Sequence, residues 1–286
     1  MNKIIVGILI VTLVLTTTFA TSIKINNEDI VHPLTFETDV PVWEIGDSWT
    51  YIVNLEINND VEKTSGSYYN DLEIEYEVVD DSGEYYTLEG TSTLNPGVMQ
   101  FYIGTLNLVS SRFGNHVNVL KLRKSDLGIY SFDSIGEGIL FISIGGLTLP
   151  IPIQFEGNGQ NEIDPVWQLI PFPLIDGKSG DIPATTYINK GSYYKLLWGL
   201  IQIEFPESQW SNSAIPYTIT EKQVTVEAGT FDVYEVDSGY NHYYFRPIYS
   251  EEVGNVVKYT HYIEHGDSGV IYHSMEMELK DYNYTP

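Results

Sequence analysis

The chain has no cysteine. That excludes a disulfide framework, thiolate chemistry and a lipid-modified cysteine. Basic residues are scarce: 14 Lys and Arg stand against 39 Asp and Glu, for a formal net charge of -25. A surface of that sign repels nucleic acid and anionic membranes. There is no phosphate-cradling glycine loop and no nucleotide fingerprint, so no cofactor is expected. Helical periodicity is missing as well: no amphipathic helix of three or more turns is legible. Long apolar runs are confined to the N-terminus, so no membrane span is expected in the mature chain.

That N-terminal run has the grammar of an export signal. Lys3 supplies a positive start, Ile4 to Leu15 is largely apolar, and Thr18-Phe19-Ala20 offers small residues for cleavage. Residues 1–20 are therefore expected to be a signal peptide, with an uncleaved N-terminal anchor as the alternative. Cleavage moves the formal charge from -25 to -26, because Lys3 leaves and no acid does. The expected location is secreted or cell-surface. Without cysteines, the apolar core alone must hold an exported fold.

What the chain does contain is strand formers. It has 22 Tyr among 286 residues, with many Ile, Val and Thr. Trp49, Tyr51, Val53, Leu55 and Ile57 alternate with Thr50, Asn54 and Glu56. Leu72 to Val78 alternates with three Glu outward, as a half-buried antiparallel strand does. Asp80-Asp81-Ser82-Gly83 is a turn, and Tyr85 to Glu89 its returning strand. Further strands are expected at 117–122, 193–205, 224–227, 231–236, 255–263 and 270–279. The fold expected is all-β, with one or two strongly curved antiparallel sheets like a half-open barrel. A polar leader covers 21–40, a first module 41–160 and a second 161–286, with 156–185 as a long connection.

A faint repeat leaves internal duplication open. Pro41-Val42-Trp43 recurs as Pro165-Val166-Trp167, and Gly46-Asp47-Ser48 as Gly177-Lys178-Ser179. Gly83-Glu84-Tyr85 matches Gly229-Thr230-Phe231, but Gly180 stands where the first half has Trp49.

Two stretches carry a resemblance. One is Trp43-Glu44-Ile45-Gly46-Asp47-Ser48-Trp49-Thr50-Tyr51. The other is Val226-Glu227-Ala228-Gly229-Thr230-Phe231-Asp232-Val233-Tyr234, followed by Tyr243-Tyr244-Phe245 and Glu252-Val253-Gly254-Asn255-Val256-Val257-Lys258-Tyr259. Together they resemble secreted archaeal and bacterial proteins of unknown function, some of which are similar to lipoprotein carriers of the Lol type. The resemblance implies a curved sheet with an apolar concave face and brings no catalytic residue. The chain departs from the carriers in lacking their covering helices and the anchoring cysteine.

Chemistry-bearing candidates are few. Gly46-Asp47-Ser48-Trp49 looks like the Gly-Asp-Ser of some esterases, but no His–Asp pairing follows at a motif-like spacing. Asp80 to Glu84 lacks the spacing of a calcium loop. Paired acids such as Glu73 and Glu75 are expected to be solvated. His261 and His273 flank the turn at Gly266 to Gly269, and in one register they approach each other as two metal ligands, with no third named. The apolar hairpin of Ile139, Phe141, Leu147, Leu149, Ile151, Ile153 and Phe155, turning at Gly145-Gly146, could face a lipid or other apolar small molecule. Pro150 and Pro152 would keep its second arm at a sheet edge. Tyr240, Tyr243, Tyr244, Phe245 and Tyr249 could meet a cell-surface protein or glycan. The expected role is non-catalytic binding of an apolar ligand on a curved sheet. A surface module for protein or glycan is the alternative, and a hydrolase or metal-dependent enzyme comes last.

Overall fold

The computed structural model describes residues 39–58, 64–93, 99–103, 106–112, 115–144, 147–196, 199–240, 243–264 and 271–286. Every regular element among them is a strand. In chain order they are β1 (Ser48–Asn58), β2 (Ser65–Asp80), β3 (Tyr85–Thr93), β4 (Met99–Ile103), β5 (Leu106–Arg112) and β6 (Asn115–Arg123). Then come β7 (Ile129–Ile144), β8 (Leu147–Trp167), β9 (Ser179–Ile182), β10 (Thr186–Leu196), β11 (Ile201–Phe205) and β12 (Ser208–Ser211). The last are β13 (Ile215–Val226), β14 (Gly229–Tyr240), β15 (Tyr243–Ser250), β16 (Asn255–Glu264) and β17 (Ile271–Asn283).

All pairings are antiparallel and trace one sheet. From one end it runs β9, β13, β14, β15, β16, β17, β1, β2. β2 then pairs with β3 along one half and β4 along the other, and those lead through β6 and β5 to β7. β8 and β10 follow, and β10 pairs with β11 and β12. The sheet does not close, since β9 and the β10–β12 group belong to opposite ends. Yet Ile182 and Thr186, at those opposite ends, are four residues apart in the chain. Four residues reach at most about 14 Å, so the sheet must curl until its ends are close.

Aromatic rings laid over glycines help it curl. Tyr76 pairs with Gly90 and Tyr217 with Gly180, and a Cβ built on either glycine would lie within 3 Å of the tyrosine opposite. Glycine supplies the bend and the ring restores the lost contact.

The inner face is filled by two apolar clusters. One centres on Trp43, Trp49, Tyr51, Val78, Val253 and Leu279. The other centres on Ile163, Trp167, Leu174, Tyr187, Ile219 and Tyr249. The two stretches that carry the resemblance meet in the first cluster. Trp43 Nε1 donates to the Gly254 carbonyl and Trp49 Nε1 to that of Val253, both at 2.9 Å. Tyr51 Oη donates to the Val256 carbonyl at 2.9 Å. Buried indole and phenol groups need such partners, and here the two indoles grip the turn between β15 and β16 while Tyr51 holds the start of β16.

Two sequence expectations change. The segment 156–185 is not a long connection: β8 runs to Trp167, held by β7 on one side and β10 on the other. The expected module boundary at 160/161 thus falls inside a strand, and β1 pairs with β17 across the whole chain length. The prolines behave as expected. Between the pairs Leu140–Ile153 and Ile142–Leu149 the register jumps over Pro150, Ile151 and Pro152. The turn at Gly145-Gly146 lies outside the described residues, as does that at Gly266 to Gly269.

Candidate functional site

Strands β2, β1, β17 and β16 are adjacent, and alternation divides their side chains between two faces. One cross-strand row on the outer face reads Tyr68, Glu56, Ser274, Tyr262, Tyr244. The next row on that face reads Asn54, Glu276, Thr260, Arg246. A groove of about 610 Å³ opens over these rows, lined by Asn54, Glu56, Tyr68, Tyr262 and Glu276 and also by Leu55, His261 and Met275 of the alternate phase. β1 and β2 slip register between Val53 and Leu55, and Asp71 there adopts a left-handed φ of 52°. This irregularity lets Asn54 Oδ1 accept from the Asp71 backbone amide at 2.9 Å, which fixes one wall.

The aromatic row is built by register, and Tyr68 and Tyr262 of it line the groove. Tyr244 and Tyr262 stand directly opposite each other, with ring centroids 4.4 Å apart and planes within 17°. Tyr68 lies three strands from Tyr262, about 14 Å at the usual interstrand spacing. Polar groups fill the interval: Asn58 Nδ2 donates to Glu56 Oε1 at 3.1 Å, and Lys258 pairs with Glu276 at 2.7 Å.

The inner face of the same strands carries the histidines. His261 and His273 are each 3% exposed, with ring centroids 4.8 Å apart and perpendicular planes. The expected proximity is therefore present, and the register places His261 opposite Met275 and His273 opposite both Ile263 and Ile57. Phe245 stacks on His261 at 4.7 Å and 16°. Burial pushes the His261 imidazolium down to about 3, helped by His273, and burial alone pushes that of His273 to about 4. Both rings are neutral at neutral pH. Neither Nε2 has a hydrogen-bond partner among the described residues.

The other candidates are dispersed. Tyr243 and Tyr244 are consecutive strand residues on opposite faces: Tyr243 packs against the second cluster, while Tyr244 faces out. Phe245 and Tyr249 are buried, so the five aromatics do not form one exposed patch. The side chain of Tyr240 lies outside the described set. So do those of Phe141, Leu147, Leu149, Ile151, Ile153 and Phe155, although their backbones run in β7 and β8. Ile139 is half-buried. Ser48 pairs with Asn283 at the end of β1 remote from Ile57, the residue opposite His273, so that histidine is not its partner. The Asp80–Glu84 turn is closed by Ser82, which donates to Asp80 through both its amide and its hydroxyl. Lys124 donates to the Asp81 carbonyl at the same turn.

Sequence reading missed Glu56, Tyr68, Asn70, Tyr262 and Glu276. Their one signal was the outward phase of the alternation, which solvated positions share.

No family model matches the chain, and no curated protein matches it. Among solved structures, the chain is similar to a β-barrel-like protein of a domain of unknown function, DUF1849, from Brucella abortus. Identity is 11%, the match covers 85% of this chain and 98% of that chain, and the TM-score is 0.30. At that score the likeness carries no argument, and the barrel-like architecture described above rests on the strand pairings.

Proposed function

We propose that this chain is an extracytoplasmic, non-catalytic binding module that takes a short saccharide in the outer groove. The observation that supports it most is the row Tyr68, Glu56, Ser274, Tyr262, Tyr244 across adjacent strands. Flat phenol rings offer stacking surfaces for sugar C–H faces, and the carboxylate, amide and hydroxyl groups between them accept and donate to sugar hydroxyls. Antiparallel strands hold these groups in fixed register, which keeps the ordering cost of binding low. The export signal and the acidic surface suit a role outside the cytoplasm.

The other reading, an apolar ligand against the concave face, follows from the likeness to Lol-type carriers. Trp49, Tyr51, Val78, Leu279 and their neighbours pack as a buried apolar cluster on that face. What remains for it is the β7–β8 hairpin, where Pro150 and Pro152 interrupt the pairing. The discriminating experiment is a glycan-array screen of the mature chain, followed by calorimetry on any hit with Tyr262→Ala and Glu56→Gln. Loss of at least tenfold in affinity in both variants supports the groove. Binding that survives both substitutions, or a co-purifying lipid with no glycan hit, refutes it.

A further inference from the structure

We propose that His261, His273 and Met275 form a binding site for a single Cu(I) ion, bordering the groove that His261 and Met275 also line. The two imidazoles are buried side by side, and the Nε2 of each is without a partner among the described residues. Buried polar atoms are rarely left so, and two on neighbouring rings suit a shared third body. The ring separation suits one. An ion bound at about 2 Å from a ring nitrogen lies about 3 Å from that ring's centre. Two rings sharing it at an angle near 100° then have centroids about 5 Å apart, and these stand at 4.8 Å.

The third donor comes from register. Met275 is directly opposite His261 and two residues from His273 on the same strand, so all three side chains share the inner face. Of the 4 Met in the chain, Met275 and Met277 alternate on this face of β17. Among the described residues there is no group of three or more His, Cys, Asp or Glu that could hold a metal ion. The donor set is therefore two neutral imidazoles and a thioether, with no carboxylate to offset a second positive charge. Soft donors with the apolar neighbours Phe245, Leu55 and Ile57 favour a soft monovalent ion over a dication.

The test is a titration of the full chain, anaerobic and reduced, with Cu(I) presented by a chromophoric chelator. The expected result is withdrawal of one ion per chain, with X-ray absorption showing two nitrogen neighbours and one sulfur. Met275→Leu conserves volume and should fold, as near-UV circular dichroism would verify. In that variant the sulfur neighbour should vanish and affinity fall at least tenfold. In His273→Gln, one nitrogen neighbour should be lost. A folded wild-type chain that takes no Cu(I), or a sulfur neighbour that persists in Met275→Leu, overturns the proposal. Stoichiometric Zn(II) uptake that blocks Cu(I) overturns the choice of a soft ion.

Discussion

Acidification should destabilise this protein through the His261–His273 pair, and the size of the effect follows from burial. An unfolded histidine takes up a proton near pH 6.5, whereas the folded chain holds these two near 3 and 4. Both folded values are depressed. The stability linked to them is therefore complete above pH 6.5 and is lost as pH falls from there towards 4, because the unfolded chain binds protons that the folded chain refuses. Each ring contributes about 1.4 kcal/mol per pH unit on the steep limb. From pH 8 to pH 5 the pair should remove about 4 kcal/mol. That is a large part of the 5–15 kcal/mol typical of a folded domain. Urea unfolding at pH 8, 6 and 5, with the m-value checked for constancy, reads the loss directly. His116 is half-buried and also depressed by desolvation, and it acts in the same direction. The control must therefore leave it in place. His261→Leu/His273→Leu replaces both rings by apolar groups of similar size, and its stability should fall by about 4 kcal/mol less than wild type over that range. Parallel pH curves for the two proteins would show that the folded chain protonates the rings freely, and the argument from burial would fail.

Other substitutions probe the packing. Gly90→Ala would place a Cβ 2.3 Å from the Tyr76 ring, and overpacking of this kind costs about 1–3 kcal/mol. Unchanged stability by urea titration would mean that the Tyr76 ring can swing clear. Trp49→Phe removes the indole donor to the Val253 carbonyl and leaves a gap in the first cluster, at a cost of about 2–4 kcal/mol. Calorimetry should show a lower Tm, and a shift under 1 °C would refute that grip.

Much of the fold was legible because strand alternation is a local property. The faces of Trp49 to Ile57 and Leu72 to Val78 came from parity alone. The extent of β8 was not legible. Its segment from Glu156 to Asp164 is rich in Gly, Asn and Gln, residues with poor strand propensity, yet β7 and β10 hold it from both sides. Nor could local pattern reveal that β17 returns to β1, since that pairing joins residues more than 200 apart. The groove depends on this pairing: Glu56, Ser274 and Tyr262 become neighbours only when β1, β17 and β16 line up. The histidine pair stood out because a polar ring in an apolar phase is conspicuous, whereas Glu56 and Tyr262 in a polar phase are not.

The faint sequence repeat has a physical counterpart. Gly46 donates its amide to the Val78 carbonyl, and Val78 returns its amide to the Asp47 carbonyl, both at 2.9 Å. Gly177 and Lys178 bracket Ile219 in the same way, at 3.0 and 2.8 Å. Both glycines have left-handed φ, 98° and 77°, and a Cβ on either would meet no atom within 4 Å. In the first half Trp49 follows and packs on Trp43. In the second, Gly180 follows and the ring of Tyr217 covers it. If the two brackets do the same job, alanine at either site meets only backbone strain, about 1–2 kcal/mol. Gly46→Ala and Gly177→Ala should then lower stability equally, within about 0.5 kcal/mol, and their costs should add in the double variant because the sites share no partner. A tolerated Gly177→Ala beside a damaging Gly46→Ala would show that only the β1–β2 bracket holds the sheet, and that the likeness between the halves ends at the hydrogen bonds.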